Sequence, residues 1–212
     1  MTRRRVGLGP PSEALPRGTP PNTSCYLVFV SRYRRVRLEG GVFFFTLVTS
    51  NRLPILSTQL GVHSLRKAWR ETSATMPFRV EAVCVLPDHL HTVWSLPDGD
   101  DDYSARWRKL KGIFSREYRK GGGCHSVATP SQRRKREVGI WQRRYWEHRI
   151  RDVNDFRRHV DYTHFNPVKH GFVSNVADWR LSSFHDHVKR GWINVGWGTT
   201  EPENIGDVEA GE

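Results

Sequence analysis

The chain has 212 residues, with 34 lysines and arginines against 22 aspartates and glutamates, a formal charge of +12. That length fits one domain with tails, and the cation surplus selects a polyanionic partner, nucleic acid before anionic membrane. Cys25, Cys84 and Cys124 are too few and too scattered for a disulfide framework or a cysteine zinc cluster and suit a reducing cytosol, and no apolar run is long enough to span a membrane or early enough to be a signal peptide.

Residues 1–31 begin with Arg3-Arg4-Arg5 and continue Gly- and Pro-rich without periodicity, which predicts a disordered extension. Val42 to Ser50, after Gly40-Gly41, is β-branched and aromatic and reads as the first strand. Pro54 breaks the chain; Ser57 or Thr58 can then cap a helix with Val62, Leu65 and Trp69 on its apolar face. Phe78 to Val85 reads as a second strand, Leu86-Pro87-Asp88 as a tight connection and His89 to Leu96 as a third strand. The acidic run Asp100-Asp101-Asp102 suits the positive end of the next helix better than a metal. That helix has Trp107, Leu110 and Phe114 at i, i+3 and i+7, with Arg106, Lys109 and Arg116 opposite, where they can follow a phosphate backbone. Gly121-Gly122-Gly123 ends it and opens a loop to Arg133-Arg134-Lys135-Arg136, a run that is either solvated or in contact with nucleic acid. Ile140 to Ile150 reads as a fourth strand or an irregular segment.

Two stretches carry chemistry. His89 and His91 sit two apart in a strand, so both imidazoles point to one face while Leu90 turns into a core. Such a pair can hold a divalent ion if a third ligand arrives from elsewhere; taken alone, a His-x-His is more often structural. The second stretch is a helix with Asp152 as N-cap, Asp155 in its first turn and Val153, Phe156 and Val160 as its apolar stripe. Tyr162 lies about 200° round from Val160, on the polar face with Asp155, Arg158 and Asn166, and Asn166 follows it at i+4. Pro167 disfavours helical geometry at Asn166, so the helix is expected to end there. Ser182-Ser183 can cap a last short helix, and residues 199–212 read as a flexible acidic tail. The order β-α-β-β-α-β predicts an α+β fold, a ferredoxin-like antiparallel sheet with helices on one face.

Four ordered blocks together resemble the REP-associated tyrosine transposases, a branch of the HUH-type single-tyrosine insertion-sequence transposases. They are Tyr33-Arg34-Arg35 with Gly40 to Thr46; Leu86-Pro87-Asp88-His89-Leu90-His91; Trp141 to His148; and His159-Val160-Asp161-Tyr162 with Asn166 to Gly171 and Asp178-Trp179. The resemblance covers residues 32–198 and implies the same fold there. It implies Tyr162 as nucleophile, His89 and His91 as metal ligands with Asn166 as the third, and Mg or Mn as the ion, although histidine ligands by themselves point to Zn or Mn. It also implies single-stranded hairpins from palindromic repeats as substrate, in the bacterial cytoplasm at the nucleoid. Arg143, Arg144, Tyr145 and Trp146 interleave cations with aromatics, which suits phosphate contacts and base stacking. Arg158, His159 and Lys169 join them as DNA contacts, the first two close enough to Tyr162 in sequence to favour a phenolate or hold a phosphate.

Three activities compete: a strand transferase working through a 5′-phosphotyrosine, a hydrolytic metallonuclease, and a non-catalytic DNA-binding module. The intact His89, His91, Tyr162 and Asn166 set argues against the last. A relaxase is disfavoured because Thr92-Val93-Trp94-Ser95 stands where a third histidine is usual. A phosphotyrosyl bond conserves the ester's energy and no phosphate-binding glycine loop is present, so no nucleotide cofactor is expected. Monomer and homodimer fit the sequence equally well.

Overall fold

The computed structural model describes residues 39–211 except 126, 128, 129, 135–137 and 207. The expected disordered extension at 1–31, the Tyr33-Arg34-Arg35 block, and Lys135 and Arg136 of the basic run lie outside the described residues.

Four strands, β1 (Val42–Val48), β2 (Arg79–Val85), β3 (His89–Ser95) and β4 (Trp146–Arg149), form one sheet in the order β2-β3-β1-β4. Every neighbouring pair is antiparallel. The fourth strand is thus real but confined to four residues of the expected segment. Alternation along β1 divides the molecule, since successive side chains point to opposite faces. Phe43, Phe45 and Leu47 enter one buried cluster, and Phe44 enters another.

The first face is covered by α1 (Gln59–Thr75) and α2 (Tyr103–Lys120). Thr58 caps α1 by accepting the Gly61 N–H at 3.0 Å. Gly61 is required there because a Cβ would come within 1.9 Å of the Ile55 carbonyl oxygen. The core beneath these helices is aromatic: Trp94 stacks on Trp107 at 3.9 Å, with Phe45 edge-on to both. Trp107, Leu110 and Phe114 are buried as their spacing predicts. Asp102 caps α2 through the Ala105 N–H.

Arg106 requires a correction. Its spacing puts it on the helix face that can follow phosphates, yet it is buried. The Asp100 carboxylate takes both of its terminal nitrogens, at 2.8 and 2.6 Å, and the Pro77 carbonyl accepts from it at 2.7 Å. A guanidinium satisfied on this scale can leave water, and Arg106 then ties α2 to the start of β2. The acidic run is therefore structural. Lys109 donates to Thr75, and Arg116 lies at the surface beside Glu71 and Glu117.

The other face is covered by α4 (Val153–Lys169), which lies chiefly over β2 and β3, and by α5 (Phe184–Lys189); a short α3 (Pro130–Arg134) belongs to the loop after α2. The helices expected on one face are α1 and α2, and α4 adds a layer on the second. Its buried side follows the stripe read in the sequence at Val160 and Phe156, which pack in the second cluster, but not elsewhere. Val153 is 61% exposed, whereas Asp155, His159, Tyr162, Thr163 and Asn166 are buried. Nor does α4 stop before Pro167. It continues to Lys169 and closes at Gly171, whose φ is 70°, with the Phe172 N–H returning to the Pro167 carbonyl at 2.9 Å. Burial of Phe165 and Asn166 outweighs the local penalty of a proline in a last turn.

The segment read as a flexible acidic tail is mostly exposed but touches the fold at a few points. Ile205 and Ala210 are buried in the second cluster, and Asn204 donates to Asp161 at 2.8 Å. The segment after α4 closes the β2 edge, with Val85 N–H bonded to the Leu181 carbonyl and Ser183 N–H to the Val83 carbonyl.

His164, fully buried on α4, meets the Ser183 hydroxyl at 3.0 Å, and burial pushes its pKa down to about 3. An unfolded chain takes up that proton near 6.5. Between these values the unfolded state binds more protons, so stability falls with falling pH by as much as about 1.4 kcal/mol per unit. Thermal unfolding followed from pH 7 to 4 should show a steeper loss in the wild type than in His164→Gln; equal slopes would refute the assignment.

Candidate active site between β3 and α4

β3 is paired on both sides, so its side chains are held rigidly. The register sets His91 opposite Thr46 and His89 opposite Val48, on the face that α4 covers. Each imidazole is fixed at Nδ1. His91 Nδ1 bonds the Thr46 hydroxyl at 2.9 Å, and His89 Nδ1 bonds the Asp88 carboxylate at 2.6 Å. Arg52 holds the other Asp88 oxygen at 3.0 Å. Burial raises the Asp88 pKa, but the bonds from His89 and Arg52 outweigh it and leave the carboxyl below its usual range. Partners of this kind orient ligating histidines and leave Nε2 as the coordinating nitrogen. The two rings are 5.0 Å apart and nearly perpendicular, at 82°. Lone pairs in two such planes can meet at one point. The histidine pair therefore suits a shared cation.

Tyr162 faces this pair. Its ring packs edge-on against His91 at 5.3 Å and against Phe44 at 5.9 Å. Lys169 donates to its hydroxyl at 2.9 Å, with Nζ 4.5 Å from the ring centre. Asn166, one turn beyond Tyr162 on the same face of α4, is fully buried. His170, just past the helix, stacks edge-on to His89 at 5.0 Å. His91 thus meets Tyr162 across the β3–α4 interface with His89 beside it, and Asn166 is buried one turn farther along α4; an amide oxygen with two imidazole nitrogens is a donor set suited to a divalent ion.

The remaining sequence-derived residues are dispersed. His159 turns to Asp155, not to the phenol, and it is Lys169 that touches Tyr162. Arg143 and Arg144 are exposed, Arg158 is half-buried, and Trp146 is 37% exposed beside Gly211. Tyr145 packs on the opposite face of the sheet, against Phe45 and Trp107, which removes most of its ring from a stacking surface. Sequence reasoning missed Thr46, Asp88 as an orienting partner, His148 and His170. Thr46, His148 and His170 end or lie within the blocks that carry the resemblance and Asp88 is adjacent to His89, but no local pattern assigns them a role.

Among the described residues, His148, Asp155 and His159 form a His/Asp cluster whose donor atoms lie within 4.8 Å of one another and could hold a metal. His148 Nε2 lies 2.9 Å from one Asp155 oxygen and His159 Nδ1 3.1 Å from the other. The two rings, however, are stacked at 4.4 Å with planes only 12° apart. Lone pairs in parallel planes do not converge. This arrangement suits hydrogen bonding to a shared carboxylate better than a common ion.

The chain matches no family model. It is 41% identical over 184 residues to the REP-associated tyrosine transposase of Escherichia coli, covering 86% of this chain and 98% of the relative. A Haemophilus influenzae protein assigned to the same family is 43% identical over 180 residues, covering 84% of this chain and all of the relative. Among solved structures, a REP-associated tyrosine transposase bound to a REP hairpin superposes with a TM-score of 0.66 at 38% identity, covering 85% of this chain and 99% of that one. No described helix is long and apolar enough to cross a membrane. With relatives this similar along nearly their full length, the chain belongs to the REP-associated tyrosine transposase family of DNA-processing enzymes.

Proposed function

We propose that this protein cleaves and rejoins single-stranded hairpin DNA through Tyr162. The carrying observation is the seat of that tyrosine: its ring lies against His91 and its hydroxyl accepts a hydrogen bond from Lys169. An ordinary phenol, with a pKa near 10, is a weak nucleophile at neutral pH. The Lys169 ammonium stabilises negative charge on the oxygen as its proton leaves. The phenolic oxygen attacks phosphorus and the bond to the 3′ oxygen breaks. A 5′-phosphotyrosine and a 3′-hydroxyl result, the latter gaining a proton. Attack of a 3′-hydroxyl on the phosphotyrosine reverses the step and rejoins strands without a nucleotide.

His89, His91 and Asn166 would hold a divalent ion, Mg or Mn, which would supply charge neutralisation at the scissile phosphate. Thr46 and Asp88 keep both imidazoles in the orientation this requires. Arg143, Arg144 and Arg158 offer phosphate contacts and Trp146 a partly exposed stacking surface. The substrate class follows from the relative bound to a REP hairpin and from the charge of +12; the place of action is the nucleoid in the bacterial cytoplasm.

Incubating the protein with labelled single-stranded DNA from the flanks of its own gene, plus Mg²⁺ or Mn²⁺, tests the reading. Cleavage with a protein–DNA adduct that survives denaturation is expected. Cleavage without an adduct would instead indicate a hydrolytic nuclease, and binding without cleavage a non-catalytic module.

A further inference from the structure

We propose that Asp155, together with His148 and His159, is a latch that fixes the rotation of α4 about its axis and so aims Tyr162 and Asn166 at the histidine pair. The proposal rests on the catalytic reading of Tyr162 for its consequence, but on separate residues for its geometry.

At about 100° per residue, positions seven and eleven beyond Asp155 fall within about 20° of its direction. Those positions are Tyr162 and Asn166. The azimuth of Asp155 therefore sets theirs. Much of the remaining α4 seat is apolar, with Phe44, Val160 and Phe165, and its other directional ties, His164 to Ser183 at 3.0 Å and Asp161 to Asn204 at 2.8 Å, come from segments after α4 and not from the sheet. Apolar packing holds a helix down but is non-directional. Hydrogen bonds are directional, and the latch supplies them from a separate strand. His148 lies on β4 opposite Phe44, while α4 lies chiefly over β2 and β3.

One Asp155 oxygen accepts from His148 Nε2 at 2.9 Å and from the Arg151 N–H at 2.9 Å. The other faces His159 Nδ1 at 3.1 Å, whose proton also reaches the Asp155 carbonyl at 2.8 Å. Burial works against the Asp155 carboxylate, but the bonds from His148 and Arg151 outweigh it and keep it below its usual pKa. The phenolic oxygen of a helical tyrosine projects roughly 8–9 Å from the helix axis, so a 20° roll displaces it by about 3 Å. A misplacement of about 1 Å can cost about a hundredfold in rate. These are positioning residues and touch no reacting atom.

Two full-length variants separate the donor from the ring. His148→Phe keeps a ring to stack on His159 and removes the N–H; His148→Gln keeps an amide N–H and removes the ring. Single-turnover cleavage at saturating hairpin DNA should slow about 10–100-fold in His148→Phe, with hairpin affinity within about threefold, and should stay within about threefold of wild type in His148→Gln. The reverse order, equal rates in all three proteins, or a rate loss that follows affinity would each overturn the latch. A readout independent of cleavage is the ¹⁹F resonance of 3-fluorotyrosine at position 162, assigned with Tyr162→Phe. It should shift or broaden in His148→Phe and return in His148→Gln. An unmoved resonance in His148→Phe overturns the latch even if cleavage is slow. If the wild type forms no adduct, a resonance that moves in His148→Phe supports the latch and refutes only the catalytic reading. Metal that survives in His89→Ala/His91→Ala but is lost in His148→Phe would make the cluster a cation site and also overturn the proposal.

Discussion

Tyr162→Phe is expected to reduce cleavage and adduct formation to background while hairpin binding stays within about threefold, because only the oxygen proposed as nucleophile is removed. The phenylalanine ring retains the contacts with His91 and Phe44. The Lys169 hydrogen bond is lost, worth about 1 kcal/mol, and the domain should remain folded with a slightly lower melting temperature. Denaturing gels of labelled hairpin DNA, run beside a binding assay, separate the two effects. Metal-dependent hydrolysis that persists without an adduct would return the hydrolytic reading. Persistence of both would move the nucleophile elsewhere. Tyr145, the next tyrosine in sequence terms, is poorly placed for it, since it packs with Phe45 and Trp107 on the far side of the sheet.

His89→Ala and His91→Ala are each expected to remove metal-dependent cleavage without removing the thermal transition. The pair sits on a face shared with Tyr162, and the anchoring bonds to Thr46 and Asp88 are lost with the imidazoles. His91→Ala leaves the buried Thr46 hydroxyl without its imidazole partner, and His89→Ala takes from Asp88 one of two groups that hold its charge. Losses of about 1–3 kcal/mol follow from such truncations. The measurement with the sharpest contrast is calorimetry with and without Mn²⁺. Saturation to about a hundred times the dissociation constant stabilises a folded protein by about 2.7 kcal/mol. That stabilisation should appear in the wild type and vanish in both variants. A variant with no cooperative transition at all would make the histidines structural instead.

Local geometry made much of this protein legible from sequence. The period of two in a strand places His89 and His91 on one face whatever lies opposite. The spacing of Tyr162 and Asn166 puts them on one side of a helix for the same kind of reason, as does that of Trp107, Leu110 and Phe114. Caps at Thr58, Asp102 and Asp152 act within three residues of themselves, so their signals are also local.

Which side of each element is buried was settled elsewhere. A hydrophobic stripe predicts the buried side only when the interior is apolar, and the interior under α4 is partly polar. Asp155 and His159 are buried against His148 and Tyr162 against His91, while Val153 is left in solvent. Arg106 is buried for the same reason, its charge being met by Asp100 and by a carbonyl far along the chain. Pro167 stays helical because the burial of its neighbours outweighs a preference that acts only on its own turn. Thr46 finds His91 across 45 residues through strand register alone. Sequence periodicity fixes directions within an element; what each direction meets depends on pairing between distant segments, which carries no local signal.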